Sequence, residues 1–321
     1  MNTPSPTTVS VVTPSFNQGM FIRKTIESVL GQEGDFNLDY IVVDGGSTDN
    51  SMEIIRHYAS LIDERKWTVR CLGIRYRWIS EKDRGQADAI VKGFDMAEGE
   101  ILSWLNSDDT LLPGALSKVA GRFLEVPQAG IVYGRVRYVD GEDRSMGEVD
   151  TGPTDHERLA VLNEICQPGA FFRRRDYDAV GGVDPSLHYV MDHDLWIRMT
   201  LRGKPAYLPE FLATYRLHGE SKTAARRHAV AFQRETICVL LRHYARAPLN
   251  RVYAYCNTRV RSFFPEGLQG AVWLAVPPSM LWTLWEYLRL NRGMNVEDIR
   301  MIRLANLRKI FRRGITPRAG R

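Results

Sequence analysis

Cysteine is scarce and unpatterned in this sequence of 321 residues. The four cysteines (Cys71, Cys166, Cys238 and Cys256) form no Cys-x-x-Cys pair and have no histidine nearby at metal-ligand spacing. These absences argue against a disulfide framework and against a structural zinc site. A reducing cytosol is therefore the expected compartment.

A secretion signal and a glycine-rich phosphate loop are also missing. The first eight residues are polar and lack the basic and apolar regions of a secretion signal, so we expect a cytoplasmic protein. The segment after the first apolar run, Thr13-Pro14-Ser15-Phe16-Asn17, contains no G-x-G-x-x-G phosphate loop. This absence argues against a dehydrogenase or a nucleotidyltransferase.

Net positive charge is confined to the C-terminal end. The net charge is +5, but residues 289–321 hold ten Lys/Arg and two acids, which leaves −3 for residues 1–288. Nothing in the larger, acidic part supports nucleic-acid binding. The basic end instead predicts attraction to an anionic membrane surface, where the protein would be peripheral on the inner face of the plasma membrane.

The first 130 residues alternate short β-branched runs with helical patterns, which predicts a mainly parallel sheet with crossover helices. The expected strands are Val9–Thr13, Tyr40–Val43, Tyr76–Ser80 and Ile101–Leu105. A polar cluster follows each strand, and in open α/β sheets such clusters converge on one ligand crevice. Further along, the sequence predicts strands near Ile131–Val139 and Gln167–Phe172 and helices at residues 192–201 and 223–246.

Two carboxylate positions after these strands suggest ligand chemistry. Asp108 and Asp109 directly follow the fourth strand, and hard oxygen ligands of this kind suit Mg²⁺ or Mn²⁺, although paired acids also cap helices. Asp44 precedes Gly45-Gly46, where the backbone can approach a nucleoside closely, although an Asx-turn is the simpler reading. Both alternatives stay open on the residues alone.

Six segments, in order, resemble glycosyltransferase family two with the GT-A fold. They are Thr13-Pro14-Ser15-Phe16-Asn17, Asp44-Gly45-Gly46-Ser47-Thr48-Asp49, Asp83-Arg84-Gly85-Gln86, Asn106-Ser107-Asp108-Asp109, Met191-Asp192-His193-Asp194-Leu195-Trp196 and Tyr215-Arg216-Leu217-His218. The resemblance covers residues 8–220. It implies a GT-A-type, Rossmann-like α/β sandwich with a mixed, mainly parallel sheet, followed by a helical C-terminal appendage.

The resemblance also assigns roles by position. Asp44 would read the base edge, Asp108 would bind the metal, and His218 would close over the diphosphate or metal, with Asp109 as a secondary candidate. The remaining nucleotide- and donor-binding positions would be Thr13, Pro14, Ser15, Asn17, Asp83, Arg84, Gln86, Asn106 and Ser107. Without the resemblance, a lone histidine such as His218 is more often structural.

Asp192 matches the general base of the family, with Asp194 as the competitor. Both acids could instead merely begin a helix, where the dipole favours negative charge. Two positions depart from the family pattern: Met191 replaces the usual Glu, and Asn106 replaces the first Asp of an Asp-x-Asp motif. Asn106 carries one negative charge fewer, which lowers the expected metal affinity.

The implied activity is metal-dependent, inverting transfer of a sugar from a nucleoside-diphosphate donor, UDP-linked by family default, to a hydroxyl acceptor. The acceptor would be a saccharide or lipid-linked molecule in polysaccharide or glycolipid assembly. The competing reading is a catalytically impaired protein of the same fold that binds a sugar nucleotide or a partner. We expect a catalytic domain over residues 1–220, with a donor half at 8–130 and an acceptor half at 131–220. A helical extension with a basic tail would occupy 221–321.

The segment Gly267–Trp285 contains no charged residue over 19 positions. Pro277-Pro278 is expected to break a helix there, which argues against a membrane span. Trp273, Trp282, Trp285 and Tyr287 beside the basic tail fit a segment lying in the membrane interface. Ordinary packing and an oligomer contact are the alternatives.

Overall fold

The computed structural model describes residues 6–219, 226–265, 272–293 and Asp298. The chain divides into two compact units, one formed by Met1–Leu159 with Asn163–Leu217 and the other by Ala160–Leu162 with His218–Arg321. Most of the basic tail lies outside the described residues.

Nine strands of the described chain form one sheet in the first unit. They are β1 (Thr8–Ser15), β2 (Gly34–Asp44), β3 (Cys71–Ser80), β4 (Ile101–Trp104), β5 (Thr110–Leu111), β6 (Ile131–Val139), β7 (Ser145–Glu148), β8 (Ala170–Arg173) and β9 (Ala206–Arg216). Their order is β3-β2-β1-β4-β8-β6-β9-β5, with β7 paired to β6.

The described α-helices are α1 (Ile22–Leu30), α2 (Ser51–Asp63), α3 (Gln86–Met96), α4 (Ala115–Glu125), α5 (His156–Val161), α6 (Arg174–Ala179), α7 (Met191–Thr200), α8 (Ala229–Tyr244), α9 (Leu249–Ser262) and α10 (Val272–Asn291). Short 3₁₀ turns lie at Gln167–Gly169 and Arg226–His228.

β3, β2, β1 and β4 are mutually parallel, as their alternation with helices predicts. Their register brings the strand ends into line: Ser15 pairs with Asp44, and Asp44 pairs with Ser80. β8 runs antiparallel between β4 and β6, so the sheet is mixed. The predicted fold class is therefore confirmed, and the carboxyl ends of the first three strands meet at one edge.

Both faces of the sheet are covered at β1, so this strand is buried along almost its whole length. On one face, Val11 and Tyr40 pack with Ile26 of α1, Ile55 of α2 and Leu116 of α4. The opposite face carries an aromatic cluster formed by Phe94, Trp104, Phe172, Tyr177 and Trp196.

Two expectations about local structure were wrong. Gln167–Gly169 forms a 3₁₀ turn before β8, because Pro168 has no N–H to give to a strand neighbour. α10 continues through Pro277 and Pro278. Both prolines are exposed, and the packing of the opposite side of α10 on α9 outweighs the two missing hydrogen bonds.

Candidate functional site

The loops after β1 and β2 are joined by hydrogen bonds at the carboxyl edge of the sheet. The Asn17 backbone N–H donates to Ser47 Oγ (2.7 Å), and Asn17 Oδ1 accepts from the Thr48 backbone N–H (2.8 Å). Asn17 has a φ of 53°, a left-handed conformation that asparagine tolerates better than most residues. These contacts set the two polar clusters side by side.

Asp44 is fully buried at the end of β2. Its carboxylate accepts hydrogen bonds from the backbone N–H groups of Gly46 (3.0 Å) and Ser47 (2.9 Å), and from the hydroxyls of Ser47 (2.5 Å) and Ser80 (2.8 Å). The contact to Gly46 is the Asx-turn that the sequence left open. The structure thus gives Asp44 a loop-shaping role, and its contact with a base stays a prediction.

Three other predicted nucleotide-binding residues, at the end of β1, are all buried. Thr13 is buried and shares a hydrogen bond with the Tyr40 hydroxyl (3.0 Å), and Pro14 is also buried. Ser15 is 4% exposed, and its Oγ is fully buried without a hydrogen-bond partner among the described residues. A buried hydroxyl without a partner is uncommon, and a contact of Ser15 with the nucleotide stays a prediction.

The segment after β3 contacts the loop after β2 and the loop after β4. The Asp83 carboxylate lies against Gly45, where an added Cβ would come within 2.6 Å of it. Gln86 Nε2 donates to Asn106 Oδ1 (2.6 Å), which ties α3 to the loop after β4. Arg84 is exposed and pairs with Asp88 (2.7 Å). The four predicted polar clusters are therefore linked in series, the first to the second, the second to the third and the third to the fourth.

Asp108 and Asp109 face different surroundings. Asp108 is half-buried, whereas the carboxylate of Asp109 is fully buried and accepts from the Arg216 backbone N–H (2.9 Å) and from Asn106 Nδ2 (3.3 Å). Burial, and then the charge of Asp108, raise the pKa of Asp109 well above its ordinary value. Ser107 is buried, and its carbonyl accepts from Thr25 Oγ1 (2.9 Å).

No group of three or more His, Cys, Asp or Glu side chains is arranged to hold a metal ion within the described part of the chain. Because the Asp109 carboxylate is held by framework hydrogen bonds, Asp108 stays the predicted carboxylate ligand of a divalent ion. One carboxylate suffices where phosphates and water supply the other ligands, as is usual for Mg²⁺. His218 is half-buried and begins the second compact unit, and its metal role stays a prediction.

The structure separates the two candidate bases. Asp194 is buried, and its Oδ2 accepts from Arg198 Nε (2.9 Å) and Nη2 (2.7 Å). Asp192, in the same first turn of α7, is half-buried. Because both of these contacts tie the Asp194 carboxylate to Arg198 of the same helix, the geometry gives Asp194 a framework role and favours Asp192 as the candidate base.

α7 is fixed against the strand that carries the Asp108 loop. Trp196 stacks on Trp104 of β4, with ring centroids 5.6 Å apart. Burial raises the pKa of the Cys166 thiol, and the charges of Asp109 and then Asp192 raise it further. Asp109, in the loop after β4, and Asp192 are therefore both close enough to Cys166 for their charges to act on it.

The sequence reasoning missed two framework residues, Gln167 and Arg216. Gln167 accepts from Asn106 Nδ2 (3.2 Å) and donates to the Trp104 carbonyl (2.5 Å). The buried Arg216 guanidinium donates through Nε to the Asp108 carbonyl (2.8 Å) and through Nη1 to that of Asp140 (2.9 Å). A polar residue set in an apolar stretch was the available signal at Gln167, but partners 61 or 108 positions away are not readable from sequence.

Replacing Arg216 with lysine is expected to destabilise the first unit by about 3 kcal/mol. A single ammonium cannot reach both carbonyls and also keep the ion pair that Arg216 Nη2 makes with Asp143. Urea unfolding measures the loss. Arg70→Lys, at an exposed position, is the matched control and should stay within about 0.5 kcal/mol of the parent. Equal stability of the two variants would contradict this role for Arg216.

Two solved structures share this fold. S. aureus TarS residues 1–349, in complex with UDP-GlcNAc, has a TM-score of 0.57 at 15% identity and matches 88% of this chain and 81% of its own. The mannosyltransferase PcManGT of Pyrobaculum calidifontis, in complex with GDP-Man and Mn²⁺, has a TM-score of 0.55 at 17% identity and matches 94% of this chain and 89% of its own. At these identities the likeness establishes the fold alone.

Two sequence relatives are named as glycosyltransferases. An uncharacterized glycosyltransferase of Nostoc sp. is 28% identical over 221 residues, which are 66% of this chain and 65% of the relative. A PGL/p-HBAD biosynthesis glycosyltransferase of Mycobacterium bovis is 30% identical over 191 residues, 59% of this chain and 68% of the relative. Residues 10–181 match glycosyl transferase family 2, and they make up more than half of the sequence. The chain therefore belongs to glycosyl transferase family 2.

Proposed function

We propose that this chain transfers a sugar from a nucleoside-diphosphate donor to a hydroxyl acceptor, with a divalent metal and with inversion at the anomeric carbon. The observation that carries the proposal is the junction of four polar loops at the carboxyl edge of β1 to β4. That junction places the unpartnered Ser15 hydroxyl and the half-buried Asp108 on neighbouring loops. Open α/β sheets bind nucleotides at such an edge.

The donor is a nucleoside-diphosphate sugar in this proposal. The two similar folds described above were solved with UDP-GlcNAc and with GDP-Man, which supports the donor class but favours neither base. A UDP-linked donor is the family default. Thr13, Ser15 and Asp44 would surround the nucleoside, and Asp83, Arg84 and Gln86 would lie along the nucleotide and donor sugar.

Asp108 would hold Mn²⁺ or Mg²⁺ in this scheme, with donor phosphates and water as the remaining ligands. The bound ion supplies Lewis-acid stabilisation of the negative charge that grows on the leaving diphosphate, a contribution of several kcal/mol. Arg216 holds the loop that presents Asp108. Its Nε donates to the Asp108 carbonyl, and its backbone N–H donates to the Asp109 carboxylate. The presence of Mn²⁺ with PcManGT supports this choice of ion.

Asp192 would act as the general base. The acceptor oxygen forms a bond to the anomeric carbon, its proton passes to the Asp192 carboxylate, and the bond from that carbon to the diphosphate oxygen breaks. The nucleoside diphosphate leaves with the electron pair. One direct displacement of this kind needs no enzyme nucleophile and inverts the anomeric configuration.

The acceptor is proposed to be a saccharide or lipid-linked molecule in polysaccharide or glycolipid assembly, used at the cytoplasmic face of a membrane. No described helix is long and apolar enough to cross a bilayer. A basic tail of net charge +8 supports attachment to the membrane surface without a span.

A sugar-nucleotide-binding protein without turnover is the second candidate. The observation that favours it is Asn106, which stands where the first acid of the Asp-x-Asp motif is usual. Its side chain hydrogen-bonds to Gln86, Asp109 and Gln167. The two candidates differ in release of the nucleoside diphosphate, which only the enzyme catalyses.

Donor binding tests the site directly. Calorimetry with UDP and GDP in Mn²⁺ is expected to give binding to one of them, and Ser15→Ala should weaken that binding about tenfold through the loss of one buried hydrogen bond. The same substitution should leave the ligand-free protein equally stable, because Ser15 Oγ has no partner in the described chain. Ser145→Ala, at an exposed position on β7, is the control. Unchanged affinity in Ser15→Ala would contradict this placement of the nucleotide.

A further inference from the structure

α10 turns its polar side chains towards the interior of the second unit. Ser279, Thr283 and Glu286 are all buried. The hydroxyls of Ser279 and Thr283 donate to the carbonyls of Ala275 (2.5 Å) and Ser279 (2.6 Å), and Glu286 pairs with Arg289. Local bonds of this kind satisfy polar groups inside a core, and they let α10 bury its polar side.

The opposite side of α10 is apolar and exposed. Leu281 is 76% exposed and Trp285 is 62% exposed, and Leu284 and Leu288 are exposed as well. These positions follow the i, i+3, i+4, i+7 spacing, so the four side chains form one stripe along the helix. We call Leu281, Leu284, Trp285 and Leu288 the outer stripe.

An amphipathic helix in water normally has the reverse orientation, with its apolar side inward. The buried side of α10 packs on a small core that includes Val252, Cys256 and Tyr287. Within the described part of the chain, that core does not cover the outer stripe, whose side chains stay exposed. A continuous apolar surface of this kind marks contact with a membrane or another protein.

The charges beside the outer stripe identify the partner. Arg289 is exposed at the C-terminal end of the stripe and lies over the Trp285 ring, 5.7 Å from its centroid, and Arg292 is exposed one turn on. Glu286 is the acid on the described part of α10, and it is buried. From Arg289 onward the sequence carries a net charge of +8. A bilayer with anionic headgroups complements both features, whereas a second copy would bring the same positive charge.

We propose that the outer stripe of α10 lies in the surface of an anionic bilayer, with Arg289 and Arg292 at the level of the lipid phosphates. Trp285 then sits at the boundary between headgroups and acyl chains, where tryptophan is enriched. This placement refines the expected set of interfacial aromatics: Trp285 is exposed, Trp282 is half-buried under Arg259, and Tyr287 is buried. The side chain of Trp273 lies outside the described residues.

The test is flotation of the full-length protein with vesicles of phosphatidylcholine alone or with about 30% phosphatidylglycerol. We expect binding to the anionic vesicles that weakens as salt is raised. Leu284→Gln with Leu288→Gln should lower the partition coefficient at least about tenfold, because two side chains no longer bury apolar area in lipid. The matched control, Leu124→Gln with Leu201→Gln, changes two exposed leucines of the first unit and should bind as the parent does.

Three results would overturn the proposal: no binding of the parent to anionic vesicles, equal binding to neutral vesicles, or undiminished binding of the stripe variant. Light scattering without lipid tests the rival partner, since a dimer that the stripe substitutions dissociate would assign the surface to a second copy. The stripe variant should keep the circular dichroism and the nucleoside-diphosphate affinity of the parent. Membrane binding and nucleotide binding are measured separately, so neither result depends on the other.

Discussion

Asp108→Ala is expected to reduce metal-dependent release of nucleoside diphosphate from the preferred donor about a thousandfold, because it removes the proposed carboxylate ligand of an ion that contributes several kcal/mol. The substitution should leave the fold intact, since Asp108 is half-buried and the Arg216 contact is made to its backbone carbonyl. The assay is donor hydrolysis across a panel of nucleotide sugars with Mn²⁺, Mg²⁺ or EDTA.

The matched control for Asp108→Ala is Asp63→Asn, an exposed acid at the end of α2 that lies outside the site. It should keep the parent rate and the parent response to EDTA. Full metal-dependent turnover in Asp108→Ala would remove Asp108 from the metal site. Turnover that is equal in Mn²⁺ and EDTA in the parent would remove the metal from the proposed reaction.

Asp192→Asn is expected to lower the rate of sugar transfer by about 10²- to 10⁴-fold, the usual contribution of a general base. The asparagine keeps the size of the side chain but cannot accept the proton. Donor affinity should therefore match that of the parent, because Asp192 is proposed to contact the acceptor. Single-turnover transfer and calorimetric donor binding, measured on the same preparation, separate the two effects.

Asp194→Asn provides the comparison within the same helical turn. It should lower the free energy of unfolding by about 3 kcal/mol, because the largely buried Arg198 loses its counter-charge. The folded fraction should still transfer sugar. If Asp192→Asn transferred at the full rate and Asp194→Asn did not, the base would be Asp194.

Much of the first unit was predictable because its signals are local. The apolar runs of β1 to β4, and the polar residues that end them, give strand positions and a common edge as soon as the sheet is taken to be parallel. The expected span of β6, Ile131–Val139, agrees with its observed bounds. The 3₁₀ turn at Gln167 was not predicted, because an apolar run of that length fits either a strand or a turn until its neighbours are known.

The sequence does not distinguish the roles of neighbouring carboxylates. Asp108 and Asp109 are adjacent, and Asp192 and Asp194 share one helical turn. The partners that distinguish them are Arg216, which is 107 positions from Asp109, and Arg198, whose pairing depends on how α7 packs. Burial and hydrogen bonding decide which acid is exposed to a ligand, and both arise from packing between distant segments.

The family, the parallel strands β1 to β4, the polar clusters at their ends and the charge of the C-terminal segment can be read from the sequence, because each is carried by residues close together in the chain. The three-dimensional structure was needed to show that Asp44 shapes a loop, that Asp109 and Asp194 are framework acids, and that α10 continues through Pro277 and Pro278 with its apolar side outward. Those outcomes depend on which side chains are covered by segments distant in sequence. That packing determines the free energy of burying each side chain, and the pattern of neighbouring residues does not.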